Sequence, residues 1–124
     1  MEVEILKKYK NGEISIVELI LKSKMVYKTL KMIYEMNNQK KLSLGVRKIG
    51  ELLGYKNVIS KILKILQREE IITFENEKVF NKKKARKVAY LTKKGEILFK
   101  QIKKFKIIIL KKKIEMIKRE LNEI

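Results

Sequence analysis

Asn57-Val58-Ile59-Ser60-Lys61-Ile62-Leu63-Lys64-Ile65-Leu66 sets apolar and polar side chains on opposite sides of a helix. Ile59, Ile62, Leu63 and Leu66 form one stripe, while Asn57, Ser60, Lys61 and Lys64 recur at i, i+3, i+4 and i+7 on the other. Such a helix buries one side and presents a lysine-rich front. The preceding stretch, Val46-Arg47-Lys48-Ile49-Gly50-Glu51-Leu52-Leu53-Gly54, reads as a shorter helix with Val46, Ile49, Leu52 and Leu53 inward and Gly54 as its stop. Asn57 then stands where an N-cap for the next helix is expected. Two helices joined by a tight glycine turn form the centre from which the rest is read.

Upstream, Leu42-Ser43-Leu44 reads as a short extended piece. Before it a helix is expected from Ile16, after the capping box Ser15-Ile16-Val17-Glu18, to about Met36, with or without a break near Ser23. Leu19, Val26, Leu30 and Ile33 supply its inward residues, and Asn37-Asn38-Gln39 ends it. Asn11-Gly12 marks a turn before it.

Downstream, Ile71-Ile72-Thr73-Phe74 and Val88-Ala89-Tyr90-Leu91 are rich in β-branched and aromatic residues and read as two strands. Between and just beyond them, from Lys78 to Lys94, lie eight basic residues and no acid. From Thr92 to Glu123 no breaker follows Gly95, so one long helix is expected. Leu98, Ile102, Phe105 and Ile109 form its first stripe, for packing on the body. Leu110, Ile114, Ile117, Leu121 and Ile124 form a second, offset by one residue and spaced like a short coiled-coil seam.

The chain has 124 residues, 45% of them hydrophobic, which suits one packed domain with an appendage. Lysine and arginine total 32 against 14 acids, a formal net charge of +18. A genome-wide taste for charged residues raises both signs together, so this excess points to a polyanionic partner. No cysteine or histidine occurs, which removes disulfides, thiolate and imidazole chemistry and the usual zinc sites. Glu69-Glu70 is the one adjacent acidic pair, and the five glycines are isolated, so neither a carboxylate site nor a phosphate-binding loop is indicated. No catalytic residues, cofactor or metal are expected. The longest apolar run, Ile107-Ile108-Ile109-Leu110, is far short of a membrane span, and the N-terminus lacks the pattern of a secretory signal. A cytoplasmic, nucleoid-associated protein is the expectation.

The order helix, short strand, helix, turn, helix, basic hairpin, long helix resembles the winged helix-turn-helix superfamily. Val46 to Gly54, with small Gly50 four positions before the turn glycine, is similar to its first helix-turn-helix element. Ile59 to Ile72 is similar to a recognition helix entering the first wing strand. Tyr90-Leu91-Thr92-Lys93-Lys94-Gly95 resembles, slightly compressed, the Tyr-x-Leu-Thr-x-Lys-Gly junction into the C-terminal helix. The resemblance spans about Lys24 to Phe105. One departure is Ser60, six residues past the turn glycine, where the pattern has an apolar residue. The lysine- and isoleucine-heavy, proline-free style is like that of archaeal and archaeal-virus proteins.

The expected fold is therefore mainly α (α+β), a winged helix-turn-helix with a two-stranded basic wing and a long C-terminal helix. Residues 1–22 form an N-terminal helical extension, 23–95 the DNA-binding domain and 96–124 a dimerisation helix. The resemblance implies binding of double-stranded DNA and regulation of transcription, and the uncovered second stripe of the last helix implies a homodimer. The candidate contacts are Arg47, Lys56, Asn57, Ser60, Lys61, Lys64 and Arg68 from the helix pair, and Lys82, Lys83, Lys84, Arg86 and Lys87 from the wing. Leu110, Ile114, Ile117, Leu121 and Ile124 would make the dimer seam. A low-specificity architectural chromatin protein and an RNA-binding protein are the alternatives. Tyr27, Tyr34, Phe74 and Phe99 are expected in the core or the seam, with Tyr55 in the turn a candidate base-stacking residue.

Overall fold

The computed structural model describes residues 2–39, 45–78 and 85–124. Six helices and one hairpin follow in the order α1 (Glu2–Lys10), α2 (Ile16–Lys22), α3 (Lys24–Gln39), α4 (Val46–Leu53), α5 (Lys56–Arg68), β1 (Ile72–Lys78), β2 (Ala85–Leu91) and α6 (Lys93–Glu123). The fold is the winged helix: α3, α4 and α5 form the helical core, the hairpin the wing, and α6 the long C-terminal helix. The extended piece expected at Leu42-Ser43-Leu44, and Val79 and Phe80, lie outside the described residues.

Ser15 caps α2 by accepting from Glu18 N at 3.1 Å, as the capping box requires. The chain does break at Ser23. Its backbone N–H closes α2 on the Leu19 carbonyl, and its buried hydroxyl accepts from Val26 N at 3.2 Å, opening α3. One residue thus serves both helix ends, and the bend turns Leu19, Ile20, Val26, Leu30 and Ile33 onto one fully buried core.

The turn between α4 and α5 is only Gly54 and Tyr55. Gly54 takes the left-handed conformation at φ 81°, and the Gly50 carbonyl accepts from both Gly54 N and Tyr55 N. Tyr55, not Asn57, precedes the first turn of α5, so Asn57 is no N-cap. With so short a turn the apolar position falls on Ile59, which is buried, and Ser60 faces outward. A Cβ added at buried Gly50 would meet Ile59 Cγ2 at 2.8 Å, so glycine allows α4 and α5 this close approach. That contact rolls α4 toward Gly50, and Leu52, expected inside, is 56% exposed.

β1 and β2 pair antiparallel in the register Ile72↔Leu91 through Lys78↔Ala85, and Gly45 bridges Val88 on the far side of β2. The Asn37 side chain secures that outer edge: its Oδ1 accepts from Leu91 N at 2.8 Å and its Nδ2 donates to the Ala89 carbonyl at 3.4 Å. At the junction to α6, Thr92 caps the helix by accepting from Gly95 N at 3.0 Å while its hydroxyl donates to the Glu70 carbonyl. A Cβ at Gly95 would lie 2.0 Å from the Ile71 carbonyl oxygen, so only glycine fits. This contact fixes the roll of α6. Gly95, Phe99 and Ile102 face the core, Phe99 stacks between Tyr27 and Tyr34 at centroid distances of 5.8 and 4.6 Å, and Phe105, expected inside, is 49% exposed. No helix among the described residues is long and apolar enough to cross a membrane.

Candidate nucleic-acid interface

Helix α5 buries Ile59, Ile62, Leu63, Ile65 and Leu66, and its sequence Lys56–Arg68 contains no acid. Lys56, Asn57, Ser60, Lys61, Lys64, Gln67 and Arg68 are all at least partly exposed and share its outer face. No carboxylate lies within ion-pair distance of Lys61, Lys64 or Arg68 among the described residues. Lys56 is the exception, 4.0 Å from Glu51, which also sits 3.8 Å from Lys48. Arg47 is exposed on α4 and lines with Glu51, Lys56 and Ile59 a cleft between the two helices. Of the candidates, Arg47 of α4 and Lys56 of α5 therefore share one cleft, and Lys61, Lys64 and Arg68 line another.

The wing contributes less that can be placed. Lys82, Lys83 and Lys84 lie outside the described residues. Arg86 is half-buried, with its Cδ 3.6 Å from where a Cβ on Gly45 would stand, so its aliphatic stem fills the gap at the Gly45 bridge. Lys87 is exposed, and its Nζ rests 4.0 Å above the centre of the Phe74 ring.

Helix α1 adds a feature that the reading of α5 missed. Ile65 is buried although it lies off the apolar stripe, because Leu6 of α1, itself 8% exposed, lines the same hollow against Val58 and Ile65. Beside it runs an open groove of about 900 Å³ between the α1–α2 turn and α5, lined by Tyr9, Lys10, Gly12, Ser15, Lys61, Lys64, Arg68 and Glu69 among others. Glu69, the one acid there, accepts the Tyr9 hydroxyl. Burial first, then the neighbouring Glu69 carboxylate, pushes the Tyr9 phenol up to about 12. The groove is thus bordered by four cations against one carboxylate already engaged by a phenol. The run of three lysines in the last turn of α1, Lys7, Lys8 and Lys10, was the available signal in the sequence.

Tyr55, the candidate stacking residue, is half-buried and anchored through its hydroxyl. Its hydroxyl donates to the Met25 carbonyl at 2.9 Å and lies 2.9 Å from Thr29 Oγ1, which ties the turn to α3.

On α6, Leu110, Ile114, Ile117, Leu121 and Ile124 are each more than half exposed. Ile107, 42% exposed, continues the same 3–4 spacing one step upstream and was missed because it sits inside a run of isoleucines. Where the body ends, Lys106 lies with its Nζ 3.6 Å above the Tyr27 ring, and burial lowers its pKa.

No family model matches the chain, and no curated protein does. Among solved structures it is similar to a point mutant of S. aureus MepR, with a TM-score of 0.64 at 18% identity over 99% of this chain and 80% of that one. At that identity the likeness is one of fold: both are winged helices.

Proposed function

We propose that this protein binds double-stranded DNA as a homodimeric regulator of transcription, with α5 in the major groove. The observation that carries the reading is the acid-free outer face of α5, where Lys56, Asn57, Ser60, Lys61, Lys64 and Arg68 are presented together. A B-form major groove admits one α-helix, and in winged-helix proteins this is the helix that enters it. Arg47 and the wing residues Lys82, Lys83, Lys84, Arg86 and Lys87 then serve the phosphates, and Lys10 joins them across the groove beside α5. The exposed seam from Leu110 to Ile124 joins the two copies. The structural neighbour is a winged-helix transcription regulator, which supports the same reading.

Lysines dominate this surface, and only Arg47 and Arg68 of the helix pair offer the planar fork that reads guanine bidentately. That favours an architectural, weakly selective protein as the second reading. Selection of bound duplexes from a random pool, followed by competition, separates the two. A regulator enriches a site with two half-sites and prefers it to random duplex by well over about tenfold, whereas an architectural protein does not. Tighter binding to structured RNA than to duplex at matched salt would overturn both.

A further inference from the structure

The seam on α6 has a direction written in its flanks. Resting on the homodimer proposed above, we infer that two copies pair through α6 antiparallel, with Ile114 against the partner's Ile117 and Leu110 against the partner's Leu121. Ile107, Leu110, Ile114, Ile117, Leu121 and Ile124 alternate steps of three and four, giving six apolar layers if all are paired.

Two observations set the direction. The first is what lies upstream of Ile107. Continued toward the body, the seam falls on Lys103 and then Lys100, so parallel helices would bring each of these lysines against its own copy. The stretch is also obstructed. Gly95, Phe99 and Ile102 are buried against the body, on a face only about 60° round the helix from the seam at roughly 100° per residue. An antiparallel partner leaves this stretch unpaired and carries its own body to the opposite end.

The second observation is the charge beside the seam. Lys111 and Lys118 border one edge, and Lys113 and Glu120 the other. In a parallel pair opposite edges meet, setting Lys113 beside the partner's Lys118 and Lys106 beside the partner's Lys111. In an antiparallel pair like edges meet. Lys113 then faces the partner's Glu120, and Glu120 the partner's Lys113, while Lys111 opposes the partner's Lys118 on the other side. Two attractions offset two repulsions in the antiparallel pair, against repulsions alone in the parallel one. Midway between Ile114 and Ile117 is about 15 residues from the Phe99–Ile102 anchor, so the two bodies would be held at points about 45 Å apart.

The absence of cysteine from the chain makes the test clean. Leu110→Cys and Leu121→Cys, both at exposed positions, are oxidised separately and as an equal mixture. The antiparallel pair yields a disulfide-linked dimer in the mixture and none in either variant alone. Cross-linking of each variant with itself would overturn the inference in favour of parallel helices. A sedimentation dimer that cross-links in no combination would overturn it too, while leaving the homodimer reading standing, and a sedimentation monomer would remove both. The charge argument has its own readout. Lys113→Glu should weaken the dimer about tenfold by setting two glutamates face to face, and Lys113→Glu with Glu120→Lys should restore it. Were the helices parallel, Lys113→Glu alone would tighten the dimer instead.

Discussion

Gly95 and Gly50 are both buried glycines at close helix approaches, yet they differ in what stands opposite. A methyl at Gly95 meets the carbonyl oxygen and carbon of Ile71 at 2.0 and 2.9 Å, which are backbone atoms fixed by the Thr92 cap and the end of α5. A methyl at Gly50 meets Ile59 Cγ2 at 2.8 Å, a side-chain atom that a small shift between α4 and α5 can relieve. Gly95→Ala should therefore cost about 3 kcal/mol or more and Gly50→Ala about 1–2 kcal/mol, read from urea midpoints at unchanged m-value. Equal losses would mean that the α6 junction yields as easily as a side chain does. Tyr9 offers a second test at this scale. Its phenol is held up to about 12, first by burial and then by Glu69, whereas an unfolded tyrosine titrates near 10. Between those values the native state binds the proton that the unfolded state has released, so stability falls as pH rises through this window and is intact below it. Tyr9→Phe should flatten that part of the stability–pH curve while leaving the lysine-dependent slope. If the two curves run parallel across the window, the phenol is not shielded in solution.

Helix α5 and its neighbours show how much of the architecture local pattern can carry. The stripe Ile59, Ile62, Leu63, Leu66 is buried as its period requires, and the front faces outward, because within one amphipathic helix the sequence period and the burial direction are the same fact. The strands were legible from their β-branched and aromatic composition, and the length of α6 from the lack of a breaker after Gly95. What eluded the sequence was set by contacts between elements. Ile65 is buried only because α1 returns across α5, and Leu52 is exposed only because Gly50 rolls α4. Phe99 lies inside as expected, but Phe105 is exposed because Gly95, seated against the Ile71 backbone, sets which side of α6 faces inward. None of these is encoded in the spacing of its own helix. The candidate interface was legible on α5 and blind at the groove, since Lys10 is 51 residues from Lys61 in the chain and meets it only through that same return of α1. This makes the groove testable as an element. Lys10→Ala should weaken duplex binding at low salt by roughly threefold to tenfold and reduce the log–log salt slope by about one, as expected when one fewer phosphate is neutralised. Lys64→Ala should do at least as much. An unchanged slope for Lys10→Ala, beside a reduced one for Lys64→Ala, would confine the interface to α5 and exclude α1.

For the whole molecule, charge and shape divide the work. The excess of lysine and arginine supplies long-range attraction to a polyanion, which is insensitive to sequence and strongly screened by salt. The long α6 supplies reach, by offering an exposed apolar seam beyond the body, where the proposed second copy would attach. If the dimer lays both α5 helices on one duplex and neutralises about six to eight phosphates in all, the log–log salt slope lies near −5 to −7. A monomer then engages half of them. Ile114→Asn with Ile117→Asn removes two central layers of the seam at exposed positions, adds no charge and leaves the body's core untouched. It should give a monomer by sedimentation with the thermal stability of the body unchanged. Its salt slope should fall to about −3, and its affinity for a two-half-site duplex should drop about a hundredfold or more, because the second body no longer binds at the effective concentration set by the first. Anisotropy titrations of the two proteins over a salt series measure both quantities at once. A monomeric variant that keeps the full slope would show that one body makes all the phosphate contacts. In that case α6 links two duplexes rather than two half-sites, as a DNA-bridging architectural protein requires.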